Sequence, residues 1–384
     1  MKTNELKVLT VSGTPRERGH LIGESLRDDI HAIVDKHEQS VAKLPGYSVE
    51  QYFAAFDAYR DHLGSINKWA PDLLEEVYAT AEAAGIEQER FLRFQLIDEH
   101  WSFDAYHFAP LVQVNNKCTA FAVIGDGGRP TYAGQNVDIP SYIEGHQVLL
   151  HIKYPNSELE SLVYTYSGSI SLMGMNNSPL GINLNTLIQL GCRPDGLPIV
   201  FLTRKLLEMT SYEEAVAFLN TVLHSSGTNC TISTPDRVGA FECSPNKVVE
   251  YRPRADGLRV CHTNHPLAND DVASFEALKN KTPGNNWVKG HGNTCSRLAS
   301  MAARTVYRDG PLTLEDLKAA LSAKDDPDNP VCRDMSTDIN ASLIAYTAGS
   351  MIYELSQDPK LHLAAGPPTE SDYLGFEFSR KFSN

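Results

Sequence analysis

The chain has 384 residues, 42% of them hydrophobic, enough to bury one large core or two ordinary ones. A formal charge of −14 is the wrong sign for a phosphate backbone, so no nucleic-acid partner is expected. No apolar run nears the ~18 residues of a membrane span, residues 1–7 lack the apolar stretch of a secretory signal, and seven scattered cysteines suit a reducing cytoplasm better than a disulfide framework.

The first third reads helical. Leu21, Ile22, Leu26, Ile30 and Ile33 recur at three- and four-residue steps, predicting one helix from Pro15 to about Gln39, with Thr14 as cap and Pro15 in the first turn. Further helices are expected over Val49–Leu63, Pro71–Ala84 and Glu87–Glu99. From Thr119 the period shortens to two, giving strands near 119–125, 130–135, 146–153, 160–166, 170–175 and 180–186. A helix is expected over 199–222, then strands at 229–234, 238–243, 247–252 and 258–261. Helices follow at 294–306 and 313–323, the second capped by Thr313, and strands at 340–347, 350–355 and 359–363 close the chain. Sheets preceded and interrupted by helix pairs point to a layered α+β fold. No internal repeat or proline-rich linker divides it.

Cys118 stands between the polar run Asn115-Asn116-Lys117 and the apolar strand that starts at Thr119. A thiol at the mouth of a strand can act as a nucleophile; it can equally be a small buried hydrophobe. Cutting the Lys117–Cys118 bond would give the same residue a free α-amine. An amine with a pKa near ~8 and a thiol near ~8.5 exchange a proton almost evenly at neutral pH.

Twenty residues on, the chain reads Gly134-Gln135-Asn136-Val137-Asp138. Together with the Cys118-Thr119 pair, this segment resembles the acyl-coenzyme A:6-aminopenicillanate acyltransferase family of self-processing cysteine enzymes. Gly13-Thr14-Pro15-Arg16-Glu17-Arg18-Gly19 through Gly23-Glu24, Met175 to Asn183, Phe241-Glu242-Cys243-Ser244-Pro245, His262-Thr263-Asn264-His265 and Val331-Cys332-Arg333-Asp334 follow the family in order. The resemblance runs from about Gly13 to Leu363. It implies a four-layer αββα sandwich of the N-terminal-nucleophile hydrolase type. That fold would be made as one precursor and self-cleaved into 1–117 and 118–384, which stay associated; a homo-oligomer is left open.

On the same resemblance, Cys118 supplies the nucleophile and Asp138 the carboxylate that supports its ammonium. Asn264 donates to the tetrahedral oxyanion. Arg333 holds Asp138 or a substrate carboxylate, and Thr119 orients the nucleophile. Asn136 and Asn183 match family asparagines that touch substrate, although both also read as backbone-satisfying turn residues. Lys117 departs from the glycine of the enzyme that names the family, and glycine tolerates a strained scissile bond better. The implied reaction is hydrolysis or transfer of the acyl group of a small N-acyl amide or short peptide through a Cys118 thioester. Relatives act on β-lactam precursors and β-alanyl amines, and no cofactor is implied.

Three other readings stand beside it. Cys261, His262, His265 and His291 are zinc-type ligands, but without Cys-x-x-Cys or His-Glu-x-x-His spacing. A papain-like Cys–His enzyme would work without cleavage. A binding module of the same fold would show no turnover. The run Gly125-Asp126-Gly127-Gly128 reads as a hairpin turn, not a phosphate loop.

Overall fold

The computed structural model describes residues 6–41, 48–107, 118–272, 286–335 and 345–382. Among the described residues, seven helices precede the first central strand: α1 (Pro15–Ser25), α2 (Arg27–Val41), α3 (Val49–Tyr59), α4 (His62–Trp69), α5 (Pro71–Ala84), α6 (Gln88–Gln95) and α7 (Ile97–His107). Before them lies β1 (Lys7–Ser12), a strand the sequence did not announce. The periodic stretch expected as one helix from Pro15 to Gln39 is two helices, α1 ending at Ser25 with Leu26 as its cap. Thr14 and Glu17 form a reciprocal capping box that fixes the start of α1.

The packing of α1 on α5 depends on two glycines. A Cβ on Gly19 would lie 2.3 Å from the Glu76 carbonyl oxygen, and one on Gly23 would lie 2.5 Å from that of Thr80. With no side chain there, the two helix backbones approach closely. Arg18 then reaches the buried Glu76 carboxylate at 2.7 Å, and Arg204 meets the same carboxylate at 3.0 Å.

Two sheets follow. The eight-stranded sheet has the order β1-β4-β5-β6-β7-β8-β9-β10. Its members beyond β1 are β4 (Gln147–Lys153), β5 (Glu160–Tyr166), β6 (Met173–Asn176), β7 (Gly181–Thr186), β8 (Thr228–Ser233), β9 (Val238–Cys243) and β10 (Val248–Tyr251). The six-stranded sheet has the order β11-β2-β3-β12-β13-β14. It comprises β2 (Thr119–Val123), β3 (Thr131–Pro140), β11 (Arg259–His262), β12 (Ala345–Leu355), β13 (Lys360–Ala364) and β14 (Leu374–Glu377). Every pairing is antiparallel except β1 with β4, which is parallel.

The expected 199–222 helix is also divided, into α8 (Ile199–Leu206) and α9 (Tyr212–Thr221), where Ser211 caps the second through the Glu214 N–H. The two strands expected at 340–347 and 350–355 are one strand, β12, with a register shift between Thr347 and Gly349; residues 340–344 lie outside the described residues.

The sheets pack face to face through one large core that includes Ala133 and Met351 of one sheet and Val163 and Ile182 of the other. Gln135 ties them at the centre, donating to the Leu184 carbonyl and accepting from the Leu184 N–H at 3.0 Å. The N-terminal helices and α8 join that core over the outer face of the larger sheet. A second apolar cluster lies over the outer face of the smaller sheet, where α10 (Asn286–Arg304) and α11 (Leu314–Leu321) set Met301, Leu317 and Leu321 against Phe121, Val123 and Ile352. The order of layers is therefore helix, sheet, sheet, helix, a four-layer αββα sandwich.

Candidate active site

Cys118 immediately precedes β2 and is buried, 8% exposed. Lys117, the residue before it, lies outside the described residues. Because Thr119 pairs with Asn136, one further step sets Cys118 beside Val137 and next to Asp138. Asp138 is fully buried and accepts a hydrogen bond from Thr347 Oγ1 at 2.7 Å. The strand expected over 130–135 runs on through Asp138 to Pro140, because the long partner strand β12 pairs with its whole length. Burial, and then the Asp138 charge, push the Cys118 thiol up to about 12. In the intact chain the sulfur is therefore a protonated, weak nucleophile at neutral pH.

Asn264 lies in the turn just past β11, the strand that pairs with β2 on the side away from β3. Its side chain is held at both ends: Nδ2 donates to the Thr186 carbonyl at 3.2 Å, and Oδ1 accepts from Arg297 Nη2 at 3.0 Å. The same buried guanidinium donates from Nη1 to the Cys118 carbonyl at 2.7 Å and to Thr119 Oγ1 at 2.8 Å, and from Nε to Asn293 Oδ1 at 2.9 Å. Burial pulls the Arg297 pKa down to about 10, against the attraction of Asp138, so the group stays charged at neutral pH. Sequence reading missed Arg297. An arginine on an amphipathic helix reads as part of a solvated face, and only its spacing from Asn293, one helical turn earlier, hinted at a local bond.

The remaining candidates are placed as follows. Thr119 Oγ1 accepts its hydrogen bond from Arg297 at the strand mouth. Arg333 acts mainly through its backbone: its N–H donates to Thr347 Oγ1 at 2.9 Å, the hydroxyl that in turn donates to Asp138, while its guanidinium reaches the Ala345 carbonyl at 3.5 Å. Asn136 gives both N–H bonds of its side chain to the Leu321 and Val331 carbonyls, at 2.7 and 3.0 Å, and so fastens α11 to the sheet. Asn183 donates to Tyr353 Oη at 3.3 Å between the sheets. Neither asparagine is among the residues that line the cavity beside Cys118.

His262 faces Glu242 at 2.8 Å through Nε2 and the Thr263 carbonyl through Nδ1, and Cys261 is buried against Met301 and Leu317. The zinc-type ligands are thus committed elsewhere, and no metal-holding group of three or more such residues occurs among the described residues. The His291 side chain lies outside them.

A small cavity opens beside Cys118. Ile97, Trp101, Ile143, Leu172, Leu184 and Val200 give it apolar walls, and Asp98, Asp138, Ser171, Thr186 and Thr228 supply the polar points. Asp98 accepts from Thr186 Oγ1 at 2.6 Å, and burial raises its pKa to about 6 despite that bond. Thr186 therefore meets Asp98 with its hydroxyl and Asn264 with its carbonyl. No described histidine lines this space.

Residues 123–301 match the model of the acyl-coenzyme A:6-aminopenicillanic acid acyl-transferase family, a span that contains Asp138, Asn264 and Arg297 and begins five residues after Cys118. The 40 kDa form of acyl-coenzyme A:6-aminopenicillanic-acid-acyltransferase from Emericella nidulans is 25% identical over 280 residues, covering 70% of this chain and 71% of that protein. Two solved structures are also similar, each with a TM-score of 0.42. One is the Caenorhabditis elegans ortholog of N-acylethanolamine-hydrolyzing acid amidase, at 16% identity over 62% of this chain and 92% of the other. The second is penicillin V acylase from Agrobacterium tumefaciens, at 14% identity over 68% and 87%.

Proposed function

We propose that this chain, which matches the acyl-coenzyme A:6-aminopenicillanic acid acyl-transferase family over residues 123–301, is a self-activating cysteine enzyme that cleaves or transfers the acyl group of a small N-acyl amide. The observation that carries this reading is the grip of one buried arginine on both halves of the chemistry. Arg297 holds the carbonyl of Cys118 and the side chain of Asn264, so the two keep a fixed relation.

The chemistry follows in order. Cleavage before Cys118 gives that residue an α-amine, which removes the thiol proton that burial otherwise retains. The sulfur attacks the substrate carbonyl carbon, and the C=O electron pair moves to oxygen, where the Asn264 amide donates to it. The pair returns, the C–N bond breaks, and the ammonium of Cys118 passes its proton to the departing amine. An acyl thioester remains, which water opens in hydrolysis and a second amine opens in transfer. Asp138 keeps the ammonium oriented and favours its charged form. A Cys–His mechanism finds less support, since no described histidine lines the cavity.

Intact mass and N-terminal sequencing of purified, active protein test the first step. Two fragments are expected, the larger beginning Cys-Thr-Ala-Phe, and activity carried by an uncut chain would overturn the reading. Asp138→Asn should remain folded and lose most processing or turnover; near-normal rates would reduce Asp138 to a partner of Thr347.

A further inference from the structure

One thiol is placed unlike the other six. Cys118, Cys230, Cys243, Cys261 and Cys332 are buried and Cys192 is half-buried, whereas Cys295 is exposed on α10. Burial pushes the thiols of those six up and keeps them protonated at neutral pH. Cys295 instead lies against an imidazole, its Sγ 3.8 Å from His265 Nε2. The hydroxyls behind that ring decide which nitrogen carries the proton. Thr263 Oγ1 donates to the Thr294 carbonyl at 3.0 Å, and Thr294 Oγ1 donates to Thr263 Oγ1 at 2.9 Å. A hydroxyl has one proton, so Thr294 Oγ1 can only accept from its other neighbours. It accepts from the Asn264 N–H at 2.8 Å and from His265 Nδ1 at 3.0 Å, with Thr263 Oγ1 a more distant acceptor for Nδ1 at 3.4 Å. The proton of the neutral ring therefore belongs on Nδ1, and Nε2 presents its lone pair to Sγ. A nucleophile beside a base, with the base oriented by a third group, is the arrangement that activates a thiol.

We propose that Cys295 and His265 form a thiol–disulfide exchange site, at which Cys295 takes up half of a small-molecule disulfide as a mixed disulfide. The site goes beyond the amide-cleaving reading and does not depend on it. His265 Nε2 removes the Sγ proton as Sγ attacks one sulfur of the incoming disulfide. The old S–S bond breaks, a new one joins that sulfur to Cys295, and the imidazolium gives the proton to the departing thiolate. One thiol is consumed and one is released, so the disulfide itself is the only oxidant required. The same exchange with a free thiol runs the step backwards and restores Cys295. The adduct stands one residue from Thr294, whose hydroxyl holds the backbone of the turn that carries Asn264.

The probe is bis(2-hydroxyethyl) disulfide, small and uncharged, added to the purified protein at pH 7. Intact mass follows the reaction, and peptide mapping of timed samples gives the rate at Cys295 separately from that at Cys118. Native Cys295 should react at least about 10-fold faster than the same residue in urea-unfolded protein, because a positioned base contributes a factor of that order or more. An exposed thiol without a base would react no faster folded than unfolded. That result would overturn the proposal on the parent chain alone, whether or not any variant folds. His265→Gln should abolish the native advantage while reacting like the parent in urea. A variant that keeps the parent's native rate would remove His265 as the base and sink the site. Every readout is a thiol adduct rather than amide turnover, so a failure of the amide-cleaving reading leaves these outcomes unchanged.

Discussion

Asn264 bonds Arg297 through one atom of its side chain and the Thr186 carbonyl through another, and these two loads can be separated by mutation. Asn264→Ala should lower kcat roughly 100-fold with little change in KM, because a donor to the oxyanion matters chiefly in the transition state. It should also cost about 2–3 kcal/mol by urea denaturation, since it leaves a buried guanidinium and a carbonyl short of partners. Asn264→Asp should behave differently. Its carboxylate pairs with Arg297 and preserves stability, yet places negative charge where negative charge develops, so kcat falls at least as far. If both variants turn over normally on processed material, Asn264 is a structural tether only. The sequence motif was enough to point at Asn264, because an amide in a turn next to a strand end is a local pattern. Arg297 was not legible, since its partners lie 33 residues or more away in sequence except for Asn293, and nothing local distinguishes a buried arginine from an exposed one.

The turn that carries Asn264 is itself fastened by one carboxylate on β9. Glu242 accepts from the N–H groups of Leu267, Ala268 and Asn269 at 2.6, 2.9 and 2.6 Å, and from His262 at 2.8 Å, joining β9 of one sheet to the loop of the other. Burial alone would raise its pKa, but His262 and the backbone donors outweigh it and hold the carboxyl below the usual range. A depressed carboxylate stabilises the fold above its unfolded pKa of about 4.5, and that stability is lost as pH falls toward the folded value. Glu242→Gln should therefore be less stable by about 2–3 kcal/mol at pH 7, with the gap narrowing at pH 4. Urea melts at several pH values decide this, and parallel profiles for parent and variant would exclude the carboxylate as the fastener.

Elements were legible where punctuation is local. Pro71 and Gly85 bracket α5 and gave its bounds, whereas α1 and α2 meet at Leu26 with no glycine or proline to mark the break. The Ser211 to Glu214 cap was readable and would have divided the 199–222 stretch. β1 has mixed exposure and depends on a partner more than 130 residues away, so its own composition said little.

At the scale of the molecule, the layer order came from resemblance to a family, since strand pairing is long-range and no periodicity reveals which sheets stack. Residues 1–117 contribute an edge strand and most of the helices over the larger sheet, and Ile30, Ile33, Val77, Phe91 and Phe94 are buried in the common core. Processing should therefore leave the hydrodynamic particle unchanged. Light scattering after chromatography is expected to give the same mass for cut and uncut protein, 42.4 kDa per chain or one multiple of it, with the pieces separating only in denaturant. Release of a free 1–117 fragment under native conditions would contradict this.

The parallel register of β1 on β4, Lys7 with Val148 through Ser12 with Lys153, also gives the molecule a direction in time. While the backbone is continuous, tethering holds the two strands at a high local concentration, and their pairing is a unimolecular event. Once the bond before Cys118 is opened, the same pairing becomes an encounter between separate molecules. Refolding from denaturant should then be independent of protein concentration for the precursor and dependent on it for the mature pair. On the proposed processing, activation would make assembly a one-way passage, with the instructions for the fold held in a continuity that a cleaved form would lack.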